Sequence, residues 1–330
     1  MALPYLTQAQ APLTSEIDAV NEFGEVLNVS IPAERALTVY VDKRELVTLM
    51  TLGANPELLV LGYLRNQRLV TSAEDIESIT VDWAVGAAAV KTRHGIDDIE
   101  EKTAHRVVTT GCGQGSVFGG LMDEVDQIEL SVDACITQSQ LYDLVNSIRL
   151  KETTYKSAGS VHACALFSTA SGESEMLLFV EDVGRHNAID TIAGWMWMQE
   201  MAPTLVASRT ALPPEGAGLA WGGPALRPQV PTPDASDTAA LGTRAAGLVF
   251  YTTGRLTSEM VIKSAQMGVP VVVSRSGITQ MGHQVAQSVG LCAIGRATNK
   301  RFLCYTHAER LTLQPDLTTM SPSPSGRGQG

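Results

Sequence analysis

Aromatic residues make up only 5% of this 330-residue chain. That scarcity argues against an aromatic-rich β-sandwich, while abundant glycine and alanine fit tight α/β packing. Long apolar runs are missing too: no stretch approaches the roughly 18 uninterrupted apolar residues of a membrane span. The N-terminus, MALPYLTQAQAPLTSEIDAVNEFG, carries neither a basic region nor an apolar core, so no secretory signal is expected. Cysteines number five, an odd count at wide spacings, which argues against a disulfide framework. There is no CxxC pair, and none of the six histidines falls at zinc-ligand spacing with a cysteine pair, so no metal site and no zinc are expected. These absences predict a cytoplasmic protein with no membrane partner. The 44% apolar content suffices for one large domain or two modest ones.

Positive charge is also in short supply. The net charge is -11, which predicts no attraction to nucleic acid through the overall field. The distribution says more. Between Tyr251 and Arg301 lie Arg255, Lys263, Arg275, Arg296, Lys300 and Arg301 against one acid, Glu259, which makes that stretch +5 and the remainder -16. A local basic region in an acidic protein suggests a site for a small anion, set against the alternative of an ordinary solvated surface.

Residues 1–32 show little periodicity and are expected to form a flexible lead-in. A smaller N-terminal α+β domain is expected over 33–130, an α/β domain over 131–311, and a disordered tail over 312–330. In LTVYVDKREL apolar and polar residues alternate as strand, turn and strand. Asn55-Pro56-Glu57 opens a helix, with Asn55 as cap and Leu58, Leu59, Tyr63 and Leu64 on its buried face. Strands are expected at Ile79–Trp83 and Ala87–Thr92, with another at His105–Thr110 entering a glycine-rich loop. Gln138–Arg149 is expected as a helix, Val161–Phe167 and Met176–Val183 as strands, and a further helix begins near Gly184. Residues from about 200 to 243, rich in Pro, Gly and Ala, predict a disordered insertion. A βαβαβ run follows: strand 248–251, a helix capped by Thr257 or Ser258, strand 269–274, helix 278–289 and strand 291–295. It implies a parallel sheet.

Cys112 sits in TTGCGQGS, bounded by Gly111, Gly113 and Gly115. Such a loop leaves a thiol uncovered, as sulfur transfer requires, because a thiolate must attack a donor persulfide and then be attacked in turn. A small apolar residue in a turn is the alternative. Cys135, Cys164, Cys292 and Cys304 lie in apolar patterns and are expected to be buried. EDVGRHNAID places Glu181, Asp182, Gly184, Arg185 and His186 where a strand turns into a helix. TTGRLTSEM repeats the arrangement with Gly254, Arg255, Thr257 and Ser258, and SRSG at 274–277 does so again. Junctions at the carboxyl ends of parallel strands bind ligands, and free amides at helix starts favour phosphate. Three in one sheet predict a composite anionic pocket. His162, entering a strand beside Gly159, is either structural or part of that pocket.

Together these segments resemble the FdhD family, the formate dehydrogenase accessory sulfurtransferases. The matching stretches are GCGQG, AGSVHACAL, EDVGRHNAID, TTGRLTSEMVIKSAQMGVPVVVSRS and GRATNKRFLCYTHAERL. The resemblance implies a cytidine-deaminase-like α/β domain with a mainly parallel sheet joined to the smaller N-terminal domain. It implies a homodimer that accepts sulfur from a cysteine desulfurase as a Cys112 persulfide. The sulfur passes to the molybdenum bis(guanine dinucleotide) cofactor that a client formate dehydrogenase needs. It also places cofactor contacts on Arg296, Ala297, Thr298, Asn299, Lys300 and Arg301. Three positions depart from the family pattern: Gly115 replaces a second loop cysteine, Arg296 replaces an aromatic residue, and Ala158 replaces a threonine.

Two alternatives follow. One is a cofactor-binding chaperone for formate dehydrogenase that carries no sulfur, a reading the missing second cysteine favours. The other is a deaminase-like hydrolase. It would need a metal-binding His or Cys with a catalytic Glu and a PCxxC segment, but His162 is followed by Ala163 and Cys164.

Overall fold

The computed structural model describes residues 3–96, 128, 130–151, 153–200 and 247–317. The expected strand at 105–110, the Cys112 loop and nearly all of the insertion lie outside them.

The N-terminal third builds a five-stranded sheet, order β1-β6-β7-β4-β5, from β1 (Tyr5–Leu6), β4 (Arg35–Val41), β5 (Arg44–Thr51), β6 (Ile76–Asp82) and β7 (Ala87–Thr92). Asp42 and Lys43 take positive φ in the tight turn between β4 and β5. Helix α1 (Pro56–Asn66) covers this sheet and buries Leu59, Val60, Leu61, Tyr63 and Leu64.

The flexible lead-in expected over residues 1–32 needs correction. Thr14–Val20 (β2) and Val26–Pro32 (β3) form an antiparallel hairpin, and β1 pairs in parallel with β6. In the turn, the Asn21 side-chain oxygen accepts from the amides of Phe23 and Glu25. Both faces of the hairpin are largely exposed, so no strong two-residue alternation marks it. Asn55 holds the cap position of α1, but its side chain makes no capping bond. Glu57 is buried and accepts from the Thr7 hydroxyl and the Ala9 amide, both at 2.9 Å, which pins the start of the chain to the helix.

The second sheet has six strands in the order β10-β9-β11-β12-β13-β14. They are β9 (His162–Ser168), β10 (Glu175–Asp182), β11 (Leu248–Thr252), β12 (Val271–Ser274), β13 (Cys292–Thr298) and β14 (Arg301–Cys304). Pairing is parallel across β11, β12 and β13 and antiparallel at β9 and β14. Strands β10 to β13 therefore run the same way, while β9 and β14 reverse because tight hairpins join them to their neighbours. Helices α4 (Arg185–Glu200), α5 (Ser258–Gln266) and α6 (Gln280–Ser288) cover one face, packing Ile189, Ile192, Met260 and Val285 on Leu166, Phe250 and Val272. Helix α2 (Gln138–Lys151) covers the other, setting Leu141, Leu144 and Ile148 on Phe167, Tyr251 and Val273. This is a three-layer α/β arrangement. A short helix, α3 (Thr154–Ala158), and a parallel pair, β8 (Ile136–Thr137) with β15 (Leu311–Thr312), complete it. Among the described residues no helix is long and apolar enough to cross a membrane.

Helix α4 belongs to both cores. Its first turns pack in the six-stranded sheet, and Met198 packs in the five-stranded one. Packed between two cores, it is buried on nearly every side, its polar residues Arg185, His186, Asn187, Asp190 and Thr191 included. Helices α1 and α4 meet backbone to backbone: a Cβ on Gly62 would stand 1.7 Å from the Asp190 carbonyl oxygen, and one on Gly194 would stand 2.1 Å from that of Leu58. Polar groups reinforce the joint. Asn66 Nδ2 donates to Asp190 Oδ1 at 2.7 Å, and Lys263 Nζ donates to Asp190 Oδ2 at 2.9 Å. Lys263 also lies 3.4 Å from Glu259, which reaches His186 at 3.5 Å. Burial pulls the Lys263 ammonium down, but Asp190 and Glu259 outweigh it and hold it charged, above its ordinary value.

Two of the cysteines differ from the expected burial. Cys135 is exposed, because Ala134 and Ile136 on either side point inward, and Cys304 is only half-buried.

Two outcomes follow for stability. Gly62→Ala forces the two helices apart, and overpacking of this kind costs about 1–3 kcal/mol, read as a lowered urea midpoint at unchanged slope. Lys263→Met strands the Asp190 carboxylate in the core, and breaking a buried pair costs about 3–5 kcal/mol. An unchanged midpoint in either variant contradicts the packing described.

Candidate functional site

Strands β10 to β13 deliver their carboxyl ends to one edge of the six-stranded sheet, and β9 begins there. The three glycine- and arginine-bearing junctions of the sequence are therefore brought together. Hydrogen bonds stitch them into a continuous rim. The Thr253 amide donates to the Ala163 carbonyl at 2.9 Å and the Thr253 hydroxyl accepts from the Ala163 amide at 3.0 Å. Ser276 Oγ donates to the Thr253 carbonyl at 2.8 Å, and the Arg296 amide donates to the Ser276 carbonyl at 2.6 Å. Gly295 permits that last approach, since a Cβ there would sit 2.9 Å from the Ser276 oxygen.

At the β10 end, Asp182 is buried and accepts four hydrogen bonds: from the Thr51 hydroxyl, the Leu52 amide, the Gly184 amide and Asn187 Nδ2. Burial pushes its carboxyl up, and these donors pull it back down, with a net upward direction. Two donors come from β5 and the residue after it, so this carboxylate ties the five-stranded sheet to the rim. Glu181 accepts from the Thr154 and Tyr155 amides at 2.8 and 3.1 Å and so anchors the start of α3. The first two acids of the EDVGRHNAID motif thus hold backbone in place, while its third, Asp190, pairs with the Asn66 and Lys263 side chains.

Among the remaining sequence-predicted residues, His162, Arg185 and Arg255 gather at the rim. Burial lowers the His162 pKa and the two guanidinium charges lower it further, which keeps the ring neutral. Arg255 is exposed, while Arg185 is 6% exposed and packs along Gly254. Ser258 is half-buried at the first turn of α5; Thr257 caps that helix by position, without a side-chain bond. Gly184 serves the Asp182 cluster. His186 is 2% exposed and faces Glu259, away from solvent.

Residues 296–301 form the far end of the β13–β14 hairpin. The pairing register shifts between Gly295 and Thr298, a bulge, and Arg296 and Asn299 take φ of +51° and +52°. The bulge re-aims the chain: Ala297 turns into the core at 1% exposure, while Arg296, Thr298, Asn299, Lys300 and Arg301 all face outward. Tyr142 of α2 holds the turn by donating its hydroxyl to the Lys300 carbonyl at 3.2 Å. A cleft of about 780 Å³ lies on one side of the hairpin, lined by Tyr142, Arg296, Lys300 and Arg301. On the other side is one of about 490 Å³, lined by Arg149, Tyr251, Arg275, Asn299 and Lys300.

The local charge of the sequence resolves cleanly. Lys263 and Glu259 are buried together and cancel, while Arg255, Arg275, Arg296, Lys300 and Arg301 are all exposed. Lys263 is thus no part of a surface site. Tyr142, Asn146 and Arg149, which also line the clefts, were not expected there. Their signal is the polar stripe at four- and seven-residue spacing opposite the apolar face of α2. Cys112 lies outside the described residues.

The sequence pattern of the FdhD/NarQ family matches residues 32–210 and 238–312, and the break between them falls inside the Pro-rich segment. The sulfur carrier protein FdhD of Bacillus subtilis (strain 168) is 28% identical over 298 residues, covering 88% of this chain and 94% of its own. That of Bacillus pumilus is 27% identical over 285 residues, covering 84% and 89%. A crystal structure of a candidate formate dehydrogenase accessory protein from Desulfotalea psychrophila superposes with a TM-score of 0.62 at 19% identity, covering 91% of this chain and 100% of that one; at that identity the likeness concerns the fold. With a pattern that spans most of the sequence on both sides of the insertion, the chain belongs to the FdhD/NarQ family.

Proposed function

We propose that this protein is a sulfur carrier for formate dehydrogenase maturation. Cys112 takes the outer sulfur of a cysteine desulfurase persulfide. One S–S bond forms as another breaks, and the donor cysteine leaves as its thiol. The acceptor is the molybdenum bis(guanine dinucleotide) cofactor, bound as substrate along the cationic rim. The observation that carries this reading is the rim itself: five exposed cations with no exposed acid among residues 251–301, around a hairpin flanked by two clefts. A dinucleotide with pyrophosphate bridges suits that surface, because guanidinium groups fork to phosphate oxygens. The naming of the relatives as sulfur carrier proteins supports the sulfur half of the proposal. Cys112, between two glycines, supplies the thiol.

Two measurements test the two halves separately. Incubation with a cysteine desulfurase and cysteine adds the mass of one sulfur atom, removable by reductant. Cys112→Ala abolishes the adduct, whereas Cys135→Ala does not. An adduct that survives in Cys112→Ala rejects the assignment, and no adduct in the unaltered chain favours the chaperone alternative. Titration with GDP gives saturable binding that weakens as salt rises. Loss of one charge-assisted hydrogen bond costs about 1.5–3 kcal/mol, so Arg301→Ala weakens GDP binding roughly tenfold or more. Unchanged affinity in both Arg296→Ala and Arg301→Ala removes the hairpin from the site.

A further inference from the structure

Two cysteines outside the Cys112 loop meet at the base of the hairpin that carries residues 296–301. Cys292 opens β13 and Cys304 closes β14, and their sulfurs stand 3.8 Å apart. Cys304 lies directly across from Ile294, so Cys292 and Cys304 are diagonal neighbours on one face of the sheet. Their environments differ. Cys292 is wholly buried, whereas Cys304 is half-buried and within reach of the Thr306 carbonyl at 3.4 Å. Cys164, by contrast, is buried on the other face of the sheet, and its thiol donates to the Thr252 hydroxyl.

We propose that Cys292 and Cys304 are a reversible dithiol–disulfide pair that reacts with small-molecule disulfides, with Cys304 as the entering nucleophile and Cys292 as the resolving thiol. The Cys304 thiolate attacks one sulfur of the small disulfide, forming a mixed disulfide and releasing one thiolate. Cys292 then attacks the Cys304 sulfur, closing the protein disulfide and releasing the second thiol. Two protein thiols are oxidised, one small disulfide is reduced to two thiols, and the two protein protons leave with them. Partial exposure favours Cys304 as the first to react. The contact with Cys292 also holds its thiol below the ordinary value, while the same contact and burial hold Cys292 above it. The diagonal placement requires the strands to shift as the bond closes, and such a disulfide is readily reduced. The crosslink joins the two strands that present Arg296 and Arg301, and it does not depend on what those residues bind.

The test uses the full chain carrying Cys112→Ser and Cys135→Ser, treated with oxidised glutathione as the probe. Expected is a loss of two hydrogen masses with no retained glutathione, a Cys292–Cys304 crosslinked peptide on non-reducing digestion, and return of both thiols with dithiothreitol. Adding Cys292→Ala traps one glutathione on Cys304. Adding Cys304→Ala instead leaves Cys292 unmodified. A digest of the treated protein without the crosslinked peptide overturns the proposal, and this outcome decides the matter even where Cys292→Ala does not fold. Glutathione retained on the chain that keeps both cysteines also overturns it, because it means Cys292 does not resolve the mixed disulfide.

Discussion

The contact on which the architecture depends is the crossing of α1 and α4 at Gly62 and Gly194. No side chain separates the two helices there, so the backbone of one lies against the carbonyls of the other. Closeness of that kind turns every nearby polar group into a buried one. Asp190 sits at 0% exposure, and it is tolerable only because Asn66 and Lys263 reach it from two different elements. The same helix begins three residues after Asp182, whose carboxylate accepts from the end of β5 and from the start of α4 at once. Asn187 adds a bond from its amide to the Met50 carbonyl at 2.6 Å. One helix is thereby held at its start by hydrogen bonds and along its middle by steric fit, and both sheets take their position from it.

The rim inherits its geometry from that anchorage. The residues that cap and stitch the strand ends (Asp182, Thr252, Thr253, Ser274 and Ser276) make their hydrogen bonds within the protein, each with at least one backbone group. Loops so fixed present their cations at defined places. Arg275 stands 6.0 Å from the Tyr155 ring in a cation–π contact, and Arg296 is set by a bulge whose amide is already committed to Ser276. A surface held by a rigid scaffold loses little entropy when a ligand arrives.

Much of this was readable from the residues, for reasons that differ by element. The βαβαβ run was legible because β12 is buried on both faces and reads as unbroken Val. The junction loops were legible because glycine beside arginine at a strand end has few other uses. The β2–β3 hairpin was not, since a strand exposed on both faces carries no alternation. Strand β14 was hidden in a segment that looked like a basic loop; only Phe302 and Cys304, two apart and turned inward, betray it. Acidic residues misled more than apolar ones did. Asp182, Glu181 and Glu57 look like surface carboxylates in sequence and are buried acceptors in the fold, because their partners come from segments up to 131 positions away. Lys263 looked like part of a cationic surface for the same reason, and the cross-strand meeting of Cys292 with Cys304 needs a register that no local pattern supplies.

The acid content of the whole chain and the cationic rim are compatible through screening. The described remainder is strongly acidic, yet at physiological ionic strength charges beyond about 8 Å of solvent are largely damped. A small anion seated beside the 296–301 hairpin therefore responds to Arg275, Arg296, Lys300 and Arg301 far more than to acids on distant faces. A long polyanion laid across the molecule would run past the rim onto acidic surface. The burial of Lys263 with Glu259 sharpens this selectivity without changing the sum: it removes one acid from the neighbourhood at the expense of one cation that faced inward anyway. Among residues 251–301 what is left exposed at the rim is of one sign, with Asp143 of α2 the acid that lines the smaller cleft, and it is of limited extent; limited extent is what separates a site for a small anion from a surface for a polymer.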